Sequence, residues 1–478
     1  MTACPKLLTP DICVIGAGSA GLTVAAAAAQ FGVPVVLVEK GEMGGECLNT
    51  GCVPSKALIA AAAVRQTGRR GPAFGIEATE PAVDYAGVHR HIHEVIAKIA
   101  PHDSVERFEG LGVTVLRDHA RFRDARTLEV GDTLVRPRRF VIATGSTAAV
   151  PPVEGLETVP YLTNETVFGL TELPGHLLVV GGGPVGVELA QAYRRLGSEV
   201  TVIETGSILS RDDPELVEVA REALSADGVR LLENTTLAEV GGSAGAIETV
   251  VEMASGRRTI AGTHILVATG RAPTVEGLDL DKAGIAYSAK GISVNRGLRT
   301  TNRRAYAIGD CVGGLQFTHV AGYHASLAIR SILFRLPVKV DTTRLPRVTY
   351  LDPELGQIGL TEAQAREIHG DRVRVLSAPF SGNDRARAER RTEGLVKIVT
   401  GPRGRILGVG MVGAGAGELL AGWSLALSAG VKISTVASHV APYPTLSEVN
   451  KAAAIGYFSE SLTNPWLRRI LGVLRRLG

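Results

Sequence analysis

The chain is 478 residues long and carries 51 Lys and Arg against 48 Asp and Glu, a formal net charge of only +3. That balance excludes the strong positive field by which a protein gathers nucleic acid. Five cysteines are too few for a secreted disulfide scaffold, and at about 100–200 residues per domain the length calls for roughly three domains.

The N-terminal segment MTACPKLLTPD lacks the charged region, apolar run and small-residue cleavage site of a secretory signal, which predicts a cytoplasmic protein. Val14 to Ala29 is apolar but broken by glycines, and falls short of the ~20 residues of a membrane-spanning helix. It reads as a buried strand, a turn containing Gly16, Gly18 and Gly21, and an alanine-rich helix. Glycines in a G-x-G-x-x-G turn let backbone N–H groups approach a pyrophosphate at a helix start. The next strand, VPVVLVE, ends at Glu39, 23 positions after the first glycine, where a carboxylate can bind ribose hydroxyls.

GGECLNTGCVPSK follows, from Gly44 to Lys56, with Cys47 and Cys52 five apart on a glycine-rich turn. Pro54 suits a first helical turn, so Cys52 falls at the positive end of a helix dipole. A thiolate is stabilised there, and a thiolate is what disulfide exchange needs. The pair therefore reads as a redox disulfide beside a cofactor. A zinc half-site or two buried thiols are the alternatives, but no second Cys or His pair at ligand spacing accompanies the pair. Cys4, Cys13 and Cys311 have no obvious partner, and Cys311 reads as a small buried residue.

HLLVVGGGPVGVELA, from His176, repeats DICVIGAGSAGLTVA from Asp11 and supplies a second turn at Gly181, Gly183 and Gly186. Its second strand, EVTVIE, ends at Glu204. Two dinucleotide-binding units are predicted. A carboxylate accepts from a ribose 2'-OH and repels a 2'-phosphate, so Glu204 favours NADH, while Arg211 folded back would admit NADPH. FVIATGS, ending at Ser146, and ILVATGR, ending at Arg271, form a second pair of repeats, and AYAIGDCVG contains Asp310. From about Leu345 the pattern changes to short strands, RVTYL, QIGL and LVKIVT, with helical stretches near Gly417 to Ala429 and Ser447 to Ser461.

These motifs together resemble the pyridine nucleotide-disulfide oxidoreductases, the family of glutathione reductase, dihydrolipoyl dehydrogenase and mercuric reductase, over nearly the whole chain. The resemblance implies an α/β protein with two Rossmann-like domains, for FAD and NAD, and an α+β C-terminal dimerisation domain. It divides the chain into residues 1–150 and 275–344 for FAD, 151–274 for NAD(P)H, and 345–478 for a homodimer interface built by two-fold symmetry. It makes Cys52 the thiol that faces the flavin and Cys47 the interchange thiol that meets the acceptor. Lys56 then sits near flavin N5, with Glu188 beside it and the nicotinamide. Asp310 bonds the ribityl chain, while Gly45, Thr144, Gly145 and Gly270 take cofactor-binding positions. His319 to Ala325 continue the match beneath the flavin ring. A solvated surface lysine and an ordinary helix-surface acid are the alternatives for Lys56 and Glu188.

One departure matters most. Disulfide-reducing members carry HPT followed by SE, a histidine–glutamate dyad donated by the partner subunit, whereas this chain reads YPTLSE, with Tyr443 at the histidine position and Glu448 retained. Histidine exchanges a proton near neutral pH and tyrosine only near pH ~10. Mercuric reductase resembles the chain in having tyrosine there, since a soft metal ion needs thiolates rather than a proton donor. That family usually relays mercury through a C-terminal cysteine pair, and here the last cysteine is Cys311. The leading expectation is an NADH-dependent flavoenzyme whose Cys47–Cys52 pair reduces a metal ion or another non-glutathione acceptor. The rivals are a dihydrolipoyl dehydrogenase-like enzyme and, from another class, an NADH-binding regulatory flavoprotein. The tail NPWLRRILGVLRRLG alternates Leu467, Ile470, Leu471 and Leu474 with Arg468, Arg469, Arg475 and Arg476, an amphipathic basic helix expected to pack on the dimer or touch a membrane surface.

Overall fold

A computed structural model describes residues 6–459 and 465–476. Cys4 and Ser461 lie outside the described residues. The first apolar strand, Ile12–Ile15, is the centre of a five-stranded parallel sheet, flanked by Val35–Val38 and Arg139–Ile142, with Thr114–Leu116 and Ala305–Ala307 at the edges. All four residues of Ile12–Ile15 are buried, as a parallel strand covered on both faces requires. The segment from Val14 to Ala29 is thus a core strand leading into the helix Ser19–Gln30, which packs against Thr318–Leu333.

The repeat predicted from His176 builds the same unit again. His176–Val180 lies between Glu199–Ile203 and His264–Val267 in a four-stranded parallel sheet, with Arg230–Leu232 on the edge and the helix Pro184–Leu196 after the glycine turn. The two turns share one backbone device. A Cβ at Gly16 would stand 2.3 Å from the Ala143 carbonyl oxygen, and one at Gly181 would stand 2.5 Å from that of Ala268. Both glycines have positive φ, +105° and +108°, so any side chain is doubly penalised.

The two ATG segments meet where the chain passes between these sheets: Ser146–Ala148 pairs antiparallel with Arg271–Pro273. The chain then returns to the first sheet through Ala305–Ala307, beside Phe140–Ile142. The third unit is a five-stranded antiparallel sheet in the order Arg347–Thr349, Glu354–Gly359, Ile406–Gly413, Leu395–Thr400, Arg374–Pro379. The helices Ala416–Ser428 and Glu448–Ile455 share its core, in which Trp423 is 2% exposed.

Ion pairs knit the three units together. Asp352 of the third unit receives Arg70 from the end of the cysteine helix at 3.0 Å, Arg195 from the second unit at 2.9 Å and Arg391 at 2.7 Å. Lys397, buried in the antiparallel sheet, bonds Asp213 at 3.1 Å and Glu362 at 2.8 Å. Among the described residues, Gly45–Arg69 is long and apolar enough to cross a membrane by length and composition. It is interrupted at Thr50 and Gly51 and lines the cavity described below, as part of a folded domain.

Candidate active site

Cys47 sits in the short helix Gly45–Asn49, and Cys52 is the first residue of the helix Cys52–Arg69, capped by Gly51. Pro54 falls within the first turn, where its missing N–H costs nothing. Cys47 and Cys52 stand as two free thiols in hydrogen-bond contact rather than as a bonded disulfide. The contact is asymmetric. Cys52 is pulled down from 9.0 to about 6, chiefly by the hydrogen bond from Cys47, with Thr318 and Lys56 adding to it against the cost of burial. The same bond and burial push Cys47 upward. At neutral pH Cys52 is the thiolate and Cys47 holds the proton. The neighbouring thiol is thus the largest of the causes that lower Cys52. Thr318 opens the helix Thr318–Leu333 and puts its Oγ1 3.3 Å from Cys52 Sγ.

Lys56 lies one turn after Cys52. Its Nζ is 2.8 Å from Glu188 Oε2 and 4.3 Å from the centre of the Tyr350 ring. Glu188 is 6% exposed, and its other oxygen accepts from the Tyr350 N–H at 2.8 Å. Glu188 is therefore no ordinary helix-surface acid: a helix of the second unit brings it, buried, against the half-exposed Lys56 of the thiol helix of the first.

A cavity of about 1070 Å³ joins these groups, its lining shared by Gly18 and Gly145 with Cys47, Cys52, Lys56 and Glu188. Asp310 lies on its wall and accepts from Ser146 Oγ at 2.6 Å. Gly16, Glu39 and Thr144 instead line a small separate cleft. The glycine turn at the head of the helix Ser19–Gln30, the close approach of Gly45 to Gly18 and this continuous cavity fit FAD. Gly45 packs directly on the glycine turn, since a Cβ there would stand 2.7 Å from the Gly18 Cα. Gly21 and Gly186 allow each helix to pack on its own turn: an added Cβ would stand 1.8 Å from the Gly16 carbonyl oxygen and 2.0 Å from that of Gly181.

The two carboxylates expected at the riboses show matching arrangements. Glu39 accepts from Ala17 N–H at 2.6 Å and Gly41 N–H at 2.7 Å, while Glu204 accepts from Gly182 N–H at 2.6 Å and Gly206 N–H at 2.8 Å. Each clamps its glycine turn to the end of the second strand. Gly183 caps the helix Pro184–Leu196 and has open space around it, and Gly270 precedes the crossover strand Arg271–Pro273.

Sequence reasoning missed Glu46. Its carboxylate is paired with Arg271 and accepts from Asn164 Nδ2 at 2.8 Å, and burial pushes it up to about 7. No local pattern announces a partner 225 residues away. His319 also lines the cavity, with Nε2 2.7 Å from the Pro346 carbonyl oxygen, consistent with Nε2–H donating to it.

Tyr443 and Glu448 line no part of this cavity. Tyr443 is 71% exposed and its O–H donates to Asp384 at 3.2 Å, an interaction that raises its pKa above the ordinary tyrosine value. Glu448 opens the helix Glu448–Ile455 and accepts from Thr445 N–H at 3.4 Å. Among the described residues no cluster of three or more His, Cys, Asp or Glu could hold a metal ion.

The comparisons agree with this architecture. The model of the pyridine nucleotide-disulphide oxidoreductases matches residues 10–325, and that of their dimerisation domain matches residues 345–454. A mercuric reductase of Streptomyces lividans is 34% identical over 459 residues, covering 94% of this chain and 96% of the relative. A dihydrolipoyl dehydrogenase of Bacillus subtilis is 35% identical over 449 residues, covering 91% and 96%. Among solved structures, the Cu(II) complex of the HOCl-induced flavoprotein disulfide reductase RclA from Escherichia coli superposes with a TM-score of 0.84 at 27% identity, covering 94% of this chain and 99% of that one. LpdA from Mycobacterium tuberculosis gives 0.85 at 26% identity, covering 94% and 99%. The chain belongs to the pyridine nucleotide-disulphide oxidoreductases, as an FAD-dependent enzyme that uses NAD(H) and assembles as a homodimer.

Proposed function

We propose that this enzyme takes reducing equivalents from NADH and delivers them at Cys47 and Cys52 to a soft metal ion. FAD, when bound, supplies the two-electron link between the nicotinamide and the thiol pair. Lys56 and Glu188 hold each other at the junction of the two nucleotide-binding units, and the Lys56 charge helps keep Cys52 ionised. Glu204 selects NADH by accepting from the ribose 2'-OH. Cys47 presents the thiol to the acceptor and loses its proton as the metal–sulfur bond forms. Two thiolates are sufficient ligands for a soft ion. When the metal takes two electrons and leaves as the neutral atom, both metal–sulfur bonds break with their electron pairs on sulfur. Cys47 takes back one proton and Cys52 stays a thiolate, so no external leaving thiolate calls for a general acid. The overall reaction balances as NADH plus Hg(II) giving NAD+, Hg(0) and H+.

The observation that carries this reading is Tyr443. Its hydroxyl is committed to Asp384 and holds its proton above the ordinary tyrosine range, so it is a poor stand-in for an imidazole in thiol exchange. Similarity to mercuric reductases, and to a flavoprotein disulfide reductase whose structure is a Cu(II) complex, supports a metal ion at this site. The test is NADH consumption by the FAD-loaded dimer on adding Hg(II) in excess thiol. Metal-dependent turnover that disappears in Cys47→Ser and Cys52→Ser is expected. Metal-independent turnover, or turnover that survives both substitutions, contradicts the proposal. A disulfide acceptor is the second reading, favoured by the retained Glu448 and by similarity to dihydrolipoyl dehydrogenase.

A further inference from the structure

The helix Pro465–Leu474 buries none of its residues on this chain. Trp466 is 72% exposed, and Leu467, Ile470, Leu471, Val473 and Leu474 lie between 42% and 59%. At 3.6 residues per turn these six side chains fall within an arc of about 160°. Arg468, Arg469, Arg475 and Arg476 occupy the opposite side, and no acid interrupts residues 465–476. The four arginines exceed the net charge of the whole chain, +3, so without them its basic and acidic side chains nearly cancel. Four arginines thus stand on one face of this segment with no acid among them.

We propose that this helix lies in the plane of an anionic lipid surface, with Trp466 and the leucines in the acyl boundary and the arginines among the headgroups. An apolar arc backed by arginine, with an aromatic residue at one end, is the composition of an interfacial helix. Charge complementarity selects the occupant, because arginines on the face opposite the apolar arc match the headgroups of an anionic bilayer while the arc itself meets the acyl boundary. The match to the family's dimerisation domain ends at residue 454, so the helix lies beyond the segment shared with that interface. A dimer presents two such helices, and the second binds at the high effective concentration set by the first.

The chain has only two tryptophans, Trp423 in the core and Trp466 on this helix, so Trp466 emission reports the contact directly. The experiment adds vesicles of phosphatidylcholine, with or without phosphatidylglycerol, to the full-length FAD-loaded dimer. It reads both co-sedimentation and the emission maximum. Four arginines predict at least a roughly hundredfold preference for the anionic vesicles, with a blue shift of Trp466 that is lost in Trp466→Phe. Deleting residues 465–478, or replacing Arg468, Arg469, Arg475 and Arg476 together by glutamate, should abolish both signals while leaving vesicle-free NADH consumption unchanged. A wild-type protein that stays in the supernatant with anionic vesicles overturns the proposal. So does a deletion that turns the dimer into monomers on a sizing column, since the helix would then cover a second copy.

Discussion

Replacing Cys47 by alanine removes the hydrogen bond that contributes most to the acidity of Cys52. A hydrogen bond to a charged group contributes about 1.5–3 kcal/mol, and at about 1.4 kcal/mol per pKa unit its loss raises Cys52 by roughly 1–2 units. The midpoint should therefore move from about 6 to somewhere near 7–8. Because the thiolate exists above the midpoint, its fraction at pH 7 should fall from about nine-tenths to between about a half and a tenth. Thr318→Val removes a lesser contribution and should move the midpoint less. The assay is the rate of iodoacetamide alkylation of the reduced enzyme across pH 5–9, with the Cys52 peptide followed by mass spectrometry. A Cys47→Ala protein whose Cys52 still titrates where the wild type does would refute the argument that one thiol ionises the other.

Glu204→Ala should lower the ratio of kcat/KM for NADH over NADPH by about tenfold or more, because the carboxylate that would repel a 2'-phosphate is gone. An unchanged ratio would show that cofactor choice lies elsewhere. Asp352→Asn leaves Arg195, 6% exposed, with one carboxylate, Asp227 at 2.8 Å, in place of two, and removes the carboxylate that the more solvated Arg70 and Arg391 pair with. Discounting those two for solvent, the loss should be about 2–3 kcal/mol, seen as a melting temperature lower by several degrees. A melt identical to wild type would mean that the three-unit junction contributes nothing to stability.

Legibility of this molecule from sequence followed the range of each interaction. Gly16 and Gly181 were readable because the constraint is local: a turn with positive φ against a carbonyl leaves no room for a Cβ. Cys52 was readable because a proline two residues on marks a helix start. The meeting of Lys56 and Glu188, 132 residues apart, came from family resemblance, since nothing near either residue names its partner. Glu46 with Arg271, and Asp352 with its three arginines, were invisible for the same reason: burial selects the pairing, and burial exists only after the sheets assemble. Tyr443 was flagged by its departure from a motif, but its bond to Asp384 could not have been read from the spacing.

The most direct test of the central claim is NADH-dependent reduction of lipoamide by the purified dimer, measured beside Tyr443→His under identical conditions. The account predicts that the wild type is nearly inactive and that histidine raises the rate by at least about a hundredfold, because a group able to exchange protons near neutral pH has been restored. Wild-type turnover of lipoamide at tens per second, a common rate for enzymes, would contradict it and make a disulfide the acceptor.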